Sequence, residues 1–404
     1  MTWMTENLHR HTVVFIIFTI QVESDVKYYM SLSVTVGVVL VGLSYTICLA
    51  SQWIYGWPDK PGYKKYIEAL NPRRIYRLSF VTLDLLKYLR YARLYFQMKS
   101  WYNDERNLKY YEKGITFGRR GNKLDLYHRP NVDKLEDMPS PVVIFIYGGA
   151  WSSGERSTYC LLSRQMAEEL KATVICPDYC TYPKGNVLGM VQDIADCLIW
   201  VHENGEKFNF DKDNIVLIGH SAGAHLCTLT TLFLVDTREE LSIEPDKQQE
   251  VFLLIRGIIG LSGVYNTVEH YEHEQKRGIE YLSDMHRAMN GVENLPFYSP
   301  THLLKKLSQD KVSRLPPFAL LHGTNDIVVP AESTMRFSEL LTSRSVKLSL
   351  NLLPRASHTD IPVDLMVSNR RLYHPIYRYI KEEFRKLLGT CTSLEKHSKI
   401  CNTY

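Results

Sequence analysis

Ser221 is the residue of this chain whose surroundings most clearly point to chemistry. It stands in Gly219-His220-Ser221-Ala222-Gly223, after the apolar run 214–218 and before the helix-compatible run 224–229. A G-x-S-x-G turn between strand and helix is a nucleophile elbow, with small residues on both flanks because the turn is tight. A serine hydroxyl is a weak nucleophile until a base takes its proton, and the base needs a third group to orient it. Both are expected downstream, beyond strand ends. The run 315–321 reads as a buried strand leading into His322-Gly323-Thr324-Asn325-Asp326, and the alternating run 346–352 leads to Ser357-His358-Thr359-Asp360. Asp326 and His358 are therefore the candidate acid and base, although each alone also reads as an ordinary loop residue. A tetrahedral intermediate further needs N–H donors for its oxyanion. The apolar run 141–146 ends in Tyr147-Gly148-Gly149-Ala150-Trp151, which makes the N–H groups of Gly148, Gly149 and Ala222 the candidates.

The elements that must position these groups alternate. From Ile115 onward, strand-like and helix-like runs follow one another, as a mostly parallel sheet covered on both faces requires. The segment 332–341 reads as a helix between the last two strands. The charged, polar stretch 238–250 reads as an exposed insertion, and 267–287 as a mobile loop or cap element. No internal repeat, nucleotide, flavin or haem motif is present, and no cofactor is expected. Histidine spacing offers no metal site, and none of the eight cysteines forms a C-x-x-C pair.

Together, Tyr147-Gly148-Gly149-Ala150-Trp151, Gly219-His220-Ser221-Ala222-Gly223-Ala224-His225, His322-Gly323-Thr324-Asn325-Asp326 and His358-Thr359-Asp360 resemble the α/β-hydrolases near the hormone-sensitive-lipase-type esterases. Within these, the chain is most similar to the isoprenylcysteine carboxyl methylesterases, over about residues 110–388. Residues 120–127 look like that family's lead-in strand, and Cys176-Pro177-Asp178-Tyr179 like its third core strand. Tyr147 departs from the histidine of many wider relatives, and Cys180 from a common arginine. The resemblance implies an α/β-hydrolase fold with a doubly wound, mostly parallel sheet and a helical cap or lid. It implies a membrane-associated enzyme that removes the methyl ester from prenylated cysteine, with Ser221, Asp326 and His358 as its triad. Trp151 either lines a greasy substrate slot or packs in the core. A neutral-lipid or acetyl-ester hydrolase, an aryl formamidase and a catalytically silent binding protein of the same fold remain alternatives.

The chain has 404 residues and a net charge of +4, too mild a balance to suggest nucleic acid as a partner. Residues 28–58 carry no charge. Within them, 32–54 reads as a transmembrane helix preceded by a short N-terminal segment, 1–31, with Trp53, Tyr55 and Trp57 as interface anchors. Lys60, Lys64, Lys65, Arg73, Arg74 and Arg77 follow it, whereas Lys27 is the only nearby basic residue before it. The positive side prefers the cytosol, so a single-pass protein of the endoplasmic reticulum or Golgi with a cytosol-facing catalytic domain is expected. No Asn-x-Ser/Thr sequon argues for a lumenal catalytic domain. Residues 55–110 form a basic linker or cap, whose stretch 75–102 suits a membrane-surface helix, a lid or a packed helix. The hydrolase domain is expected over 111–388, followed by a polar tail, 389–404. The partners implied are a small or lipidated ester and membrane lipid.

Overall fold

The computed structural model describes residues 28–46, 71–130, 139–280 and 282–389. The expectations for 1–27, for the last part of the span, 47–54, for 55–70 and for the tail from 390 lie outside the described residues. The chain divides into two compact units, 1–89 with 277–282, and 90–276 with 283–404. In the first, a 19-residue apolar helix, Tyr28–Thr46, has the length and composition of a membrane span. It leaves Val34, Val38 and Val39 more than half exposed. A second helix covers Pro72–Leu86.

The larger unit is built on a single eight-stranded sheet of order β1-β2-β4-β3-β5-β6-β7-β8. Its strands are β1 (Tyr111–Phe117), β2 (Asn122–Tyr127), β3 (Ser140–Ile146), β4 (Thr173–Pro177), β5 (Phe210–His220), β6 (Ile255–Leu261), β7 (Phe318–Gly323) and β8 (Leu348–Leu353). The first two pair antiparallel, β2 meets β4 antiparallel, and all later neighbours are parallel. The central strands are continuous apolar runs because both faces are covered: Val142 to Ile146, Ile215 to Ile218 and Ala319 to Leu321 are fully or almost fully buried. The helices Cys160–Leu170 and Tyr373–Leu387 pack together on one face. Val187–Asn204, Ala222–Asp236 and Pro245–Leu253 pack together as a second group. Ala222–Asp236 is buried from Ala222 through Val235, so it is apolar on every side.

From β3 the chain moves to β4 on one side and returns to β5 on the other. The carboxyl ends of β3 and β5 therefore flank the topological switch point, where ligands bind in open α/β sheets.

One reading of the sequence is corrected. The stretch 238–250 is only partly exposed: a short turn, Glu239–Leu241, buries Leu241, and the helix Pro245–Leu253 buries Gln248 within the stretch and Val251 and Phe252 just beyond it. Its charges occupy the outer side of an amphipathic segment. The charged stretch from Thr267 forms a helix, Thr267–Arg277, that buries Thr267, His270 and Glu274. Within 75–102, the helix Ala92–Asn103 buries Leu94 and Met98, while Phe96 is 69% exposed.

Candidate active site

Strand β5 ends by pairing His220 with Leu261, and the Ser221 N–H makes one further bond to the Leu261 carbonyl at 2.9 Å. There the backbone turns sharply into the helix Ala222–Asp236, and Ser221 adopts φ 55° and ψ −121°. A serine in this sparsely populated region is strained and is held by its surroundings. Glycine is required at 223, because a Cβ there would sit on the carbonyl oxygen of Ile146. The Ala222 N–H opens the helix and has no acceptor within it, so it points out of the helix end.

The ends of β7 and β8 bring the other two groups to the same place. His358 Nε2 lies 2.9 Å from Ser221 Oγ, and His358 Nδ1 lies 2.7 Å from Asp326 Oδ2. Two loop bonds tie the turns together: Thr324 N–H to the Leu353 carbonyl at 2.9 Å, and Asn325 N–H to that of Ala356 at 3.0 Å. Asp326 Oδ1 accepts from the N–H groups of Val328 and Val329, at 2.9 and 2.8 Å. Burial pushes the Asp326 carboxyl up, but the His358 charge and the bonds from His322 and His358 outweigh it and hold the group well below the usual carboxylate range. With Asp326 ionised, Nδ1 of His358 carries the proton and Nε2 is bare toward Ser221.

At the end of β3, Gly148 packs directly on the elbow: a Cβ there would lie 2.8 Å from the His220 carbonyl oxygen and 2.9 Å from Ser221 Cβ. The absence of a side chain lets the 148–149 backbone approach Ser221. The Tyr147 ring stacks on Tyr159 and Tyr179, and its hydroxyl donates to Asp178 at 3.0 Å. Trp151 is 2% exposed, and its indole N–H donates to His225.

Several polar groups around these residues escaped the motif reading. His322 is fully buried, with Nε2 at 2.9 Å from the Val329 carbonyl and 3.2 Å from Asp326 Oδ2, and Nδ1 at 2.7 Å from the Thr334 hydroxyl. His220 Nε2–H donates to the His358 carbonyl at 3.2 Å. Burial, followed by the nearby His358 charge, lowers the His220 imidazole to about 3, so it is neutral. Asp360 closes a capping box around the His358 turn: its carboxylate accepts from the Ser357 N–H at 3.0 Å and hydroxyl at 2.7 Å, and from Tyr91 at 2.9 Å. An S-x-x-D spacing at 357–360 is the one sequence signal for this box. The histidine contacts depend on which strands are neighbours, which no local pattern encodes. Among the described residues, no group of three or more His, Cys, Asp or Glu side chains is placed to hold a metal ion.

The BD-FAE family matches residues 124–341, more than half of the chain, a span that contains Ser221 and Asp326 and ends before His358. A protein of Oryza sativa subsp. japonica named as a probable isoprenylcysteine alpha-carbonyl methylesterase is 35% identical over 242 residues, 59% of this chain and 56% of its own length. The isoprenylcysteine alpha-carbonyl methylesterase of Arabidopsis thaliana is 35% identical over 257 residues, 63% of this chain and 57% of its own. The chain thus spans little more than half the length of these curated relatives. Among solved structures, a phosphonate-inhibited esterase B from Lactobacillus rhamnosis superposes with a TM-score of 0.59 at 21% identity, covering 76% of this chain and 96% of that one. At that identity the likeness concerns the α/β-hydrolase fold.

Proposed function

This chain belongs to the BD-FAE family, and from that premise we propose that it is a membrane-held serine hydrolase of carboxylic esters, acting on the methyl ester of prenylated cysteine. The observation that carries the reading is the continuous hydrogen-bonded series Ser221–His358–Asp326 at the carboxyl ends of β5, β8 and β7. Ser221 Oγ attacks the ester carbonyl as His358 Nε2 takes its proton. Asp326 stays ionised and steadies the imidazolium. The N–H groups of Gly148, Gly149 and Ala222 receive the oxyanion; each such donor is worth about 3 kcal/mol of barrier. His358 then protonates the departing alkoxide, which leaves as methanol. Water activated by the same imidazole cleaves the acyl-enzyme and restores Ser221.

The substrate class rests on the plant relatives, whose names specify an isoprenylcysteine ester. A membrane anchor in Tyr28–Thr46, with basic residues following it, agrees with a lipidated substrate on a cytosolic leaflet. Placement in the endoplasmic reticulum or Golgi belongs to the same reading. The test is a series of cysteine methyl esters bearing no tail, a short alkyl tail, a geranyl tail and a farnesyl tail. Each buried methylene contributes about 0.8 kcal/mol, so kcat/KM is expected to climb steeply with tail length. Equal rates along the series, or a preference for small acetyl esters or an aryl formamide, overturn the substrate and leave the Ser221–His358–Asp326 mechanism standing.

A further inference from the structure

Trp151 and His225 join two parts of the site whose spacing matters. Trp151 ends the turn that carries Gly148 and Gly149. His225 lies one helical turn past Ser221, on the helix that Ala222 opens, and its N–H bonds to the Ser221 carbonyl at 3.1 Å. The Trp151 indole N–H donates to His225 Nδ1 at 3.1 Å, and His225 Nε2–H donates to the Tyr298 carbonyl at 2.7 Å. A carbonyl on one side and an N–H on the other fix the tautomer: Nδ1 bare, Nε2 protonated. Both rings are buried, His225 fully. Burial lowers the imidazole to about 4, so Nδ1 remains an acceptor at neutral pH. The turn needs such a tie. Gly149, Ala150 and Trp151 run at φ 147°, 49° and 61°, and non-glycine residues hold that conformation only where their surroundings over-determine it. The side-chain bond is one of several anchors: the Trp151 carbonyl accepts from Tyr182 N–H at 2.9 Å, the Gly149 carbonyl from the Ser152 and Ser153 N–H groups at 3.1 and 3.0 Å, and the Gly148 carbonyl from the Tyr159 hydroxyl at 3.3 Å.

We propose that the Trp151–His225 hydrogen bond is a positioning device for the oxyanion hole, holding the Gly148–Gly149 donors at the end of β3 in register with the Ala222 donor beyond β5. Neither ring touches the reacting atoms in this role. Trp151 faces the nucleophile helix through its indole N–H. The inference rests on the serine-hydrolase reading above.

Trp151→Phe and His225→Leu remove the bond while keeping apolar bulk. His225→Asn returns an acceptor near the place of Nδ1. Each is measured with p-nitrophenyl acetate and with a trifluoromethyl ketone. The ketone adds to Ser221 Oγ: the O–C bond forms, the carbonyl electron pair becomes an oxyanion, and the serine proton passes to His358. Displacing the donors is expected to lower kcat by about tenfold to 100-fold. KM should move little, and ketone affinity should fall in step with kcat/KM, because only the tetrahedral state uses the hole. His225→Asn should recover most of the loss. Folded Trp151→Phe or His225→Leu with unchanged kcat overturns the inference, as does a loss of kcat with unaltered ketone affinity, or His225→Asn no better than His225→Leu. If Trp151→Phe fails to fold, the two His225 variants decide. A wild-type protein no more active than Ser221→Ala overturns the proposed function itself, and the inference with it.

Discussion

Asp326→Asn is the substitution whose outcome the site geometry constrains most. Asp326 Oδ1 holds the N–H groups of Val328 and Val329 at 2.9 and 2.8 Å, so an asparagine must keep its carbonyl oxygen there. Its NH2 then takes the place of Oδ2, which lies 2.7 Å from His358 Nδ1 and 3.2 Å from His322 Nε2. An NH2 only donates, so His358 must present a bare Nδ1 and carry its proton on Nε2. That proton points at Ser221 Oγ, 2.9 Å away, and the serine loses its base. Inverting the tautomer in this way costs about 10⁴-fold in kcat, equivalent to about 5.4 kcal/mol of barrier. The fold should survive, since the loop donors keep their acceptor, with a stability loss of about 1–3 kcal/mol from the two N–H groups now facing each other near His322. The assay is kcat and KM with p-nitrophenyl acetate, alongside a urea unfolding curve. A folded Asp326→Asn protein retaining more than about a tenth of wild-type kcat refutes the tautomer argument.

Gly148→Ala places a methyl 2.8 Å from the His220 carbonyl oxygen and 2.9 Å from Ser221 Cβ, so kcat on the same ester should drop by about 100-fold and the thermal midpoint should fall; an unchanged kcat would mean that this turn does not form the hole. Asp360→Asn weakens the capping box around the His358 turn, and should lower stability by about 1 kcal/mol in urea and reduce kcat more than it changes KM; equal values for both proteins would remove Asp360 from the account. Acid should destabilise the fold well before carboxylates titrate. His220 and His225 are held neutral, at about 3 and about 4, against an ordinary 6.5, so the unfolded chain binds protons that the fold refuses. Their contribution is complete above the ordinary value and is lost as pH falls through it. The depressed Asp326 adds loss in the same direction at lower pH. Lowering pH by one unit, from roughly 6 to 5, should therefore cost about 2–3 kcal/mol of unfolding free energy, and a flat profile there contradicts the buried-neutral assignment.

The β3, β5 and β7 runs were legible because each is short, apolar and followed by glycine, histidine or a polar turn, and the structure has parallel strands at all three places. The elbow was legible for the same reason: Gly219 and Gly223 answer a local crowding that sequence records directly. What sequence left open was tertiary. Trp151 read equally well as a slot wall or as core, and only the adjacency of the β3 turn and the helix after Ser221 brings it to His225. His322 lies four residues before Asp326, yet its contact with that carboxylate depends on how the turn folds back. The stretch 238–250 reads as exposed because its charges outnumber its buried residues, Leu241 and Gln248, and the burial of Val251 and Phe252 just beyond it requires the neighbouring helix Ala222–Asp236 to be in place.

The most direct test of the central claim is the mass of the intact protein after incubation with a fluorophosphonate, followed by mapping of the modified peptide. With His358 Nε2 2.9 Å from its hydroxyl, Ser221 should displace fluoride and carry one phosphonyl group. Ser221→Ala and His358→Ala should stay unmodified. A folded wild-type protein that acquires no adduct, or acquires it at a residue other than Ser221, contradicts the account.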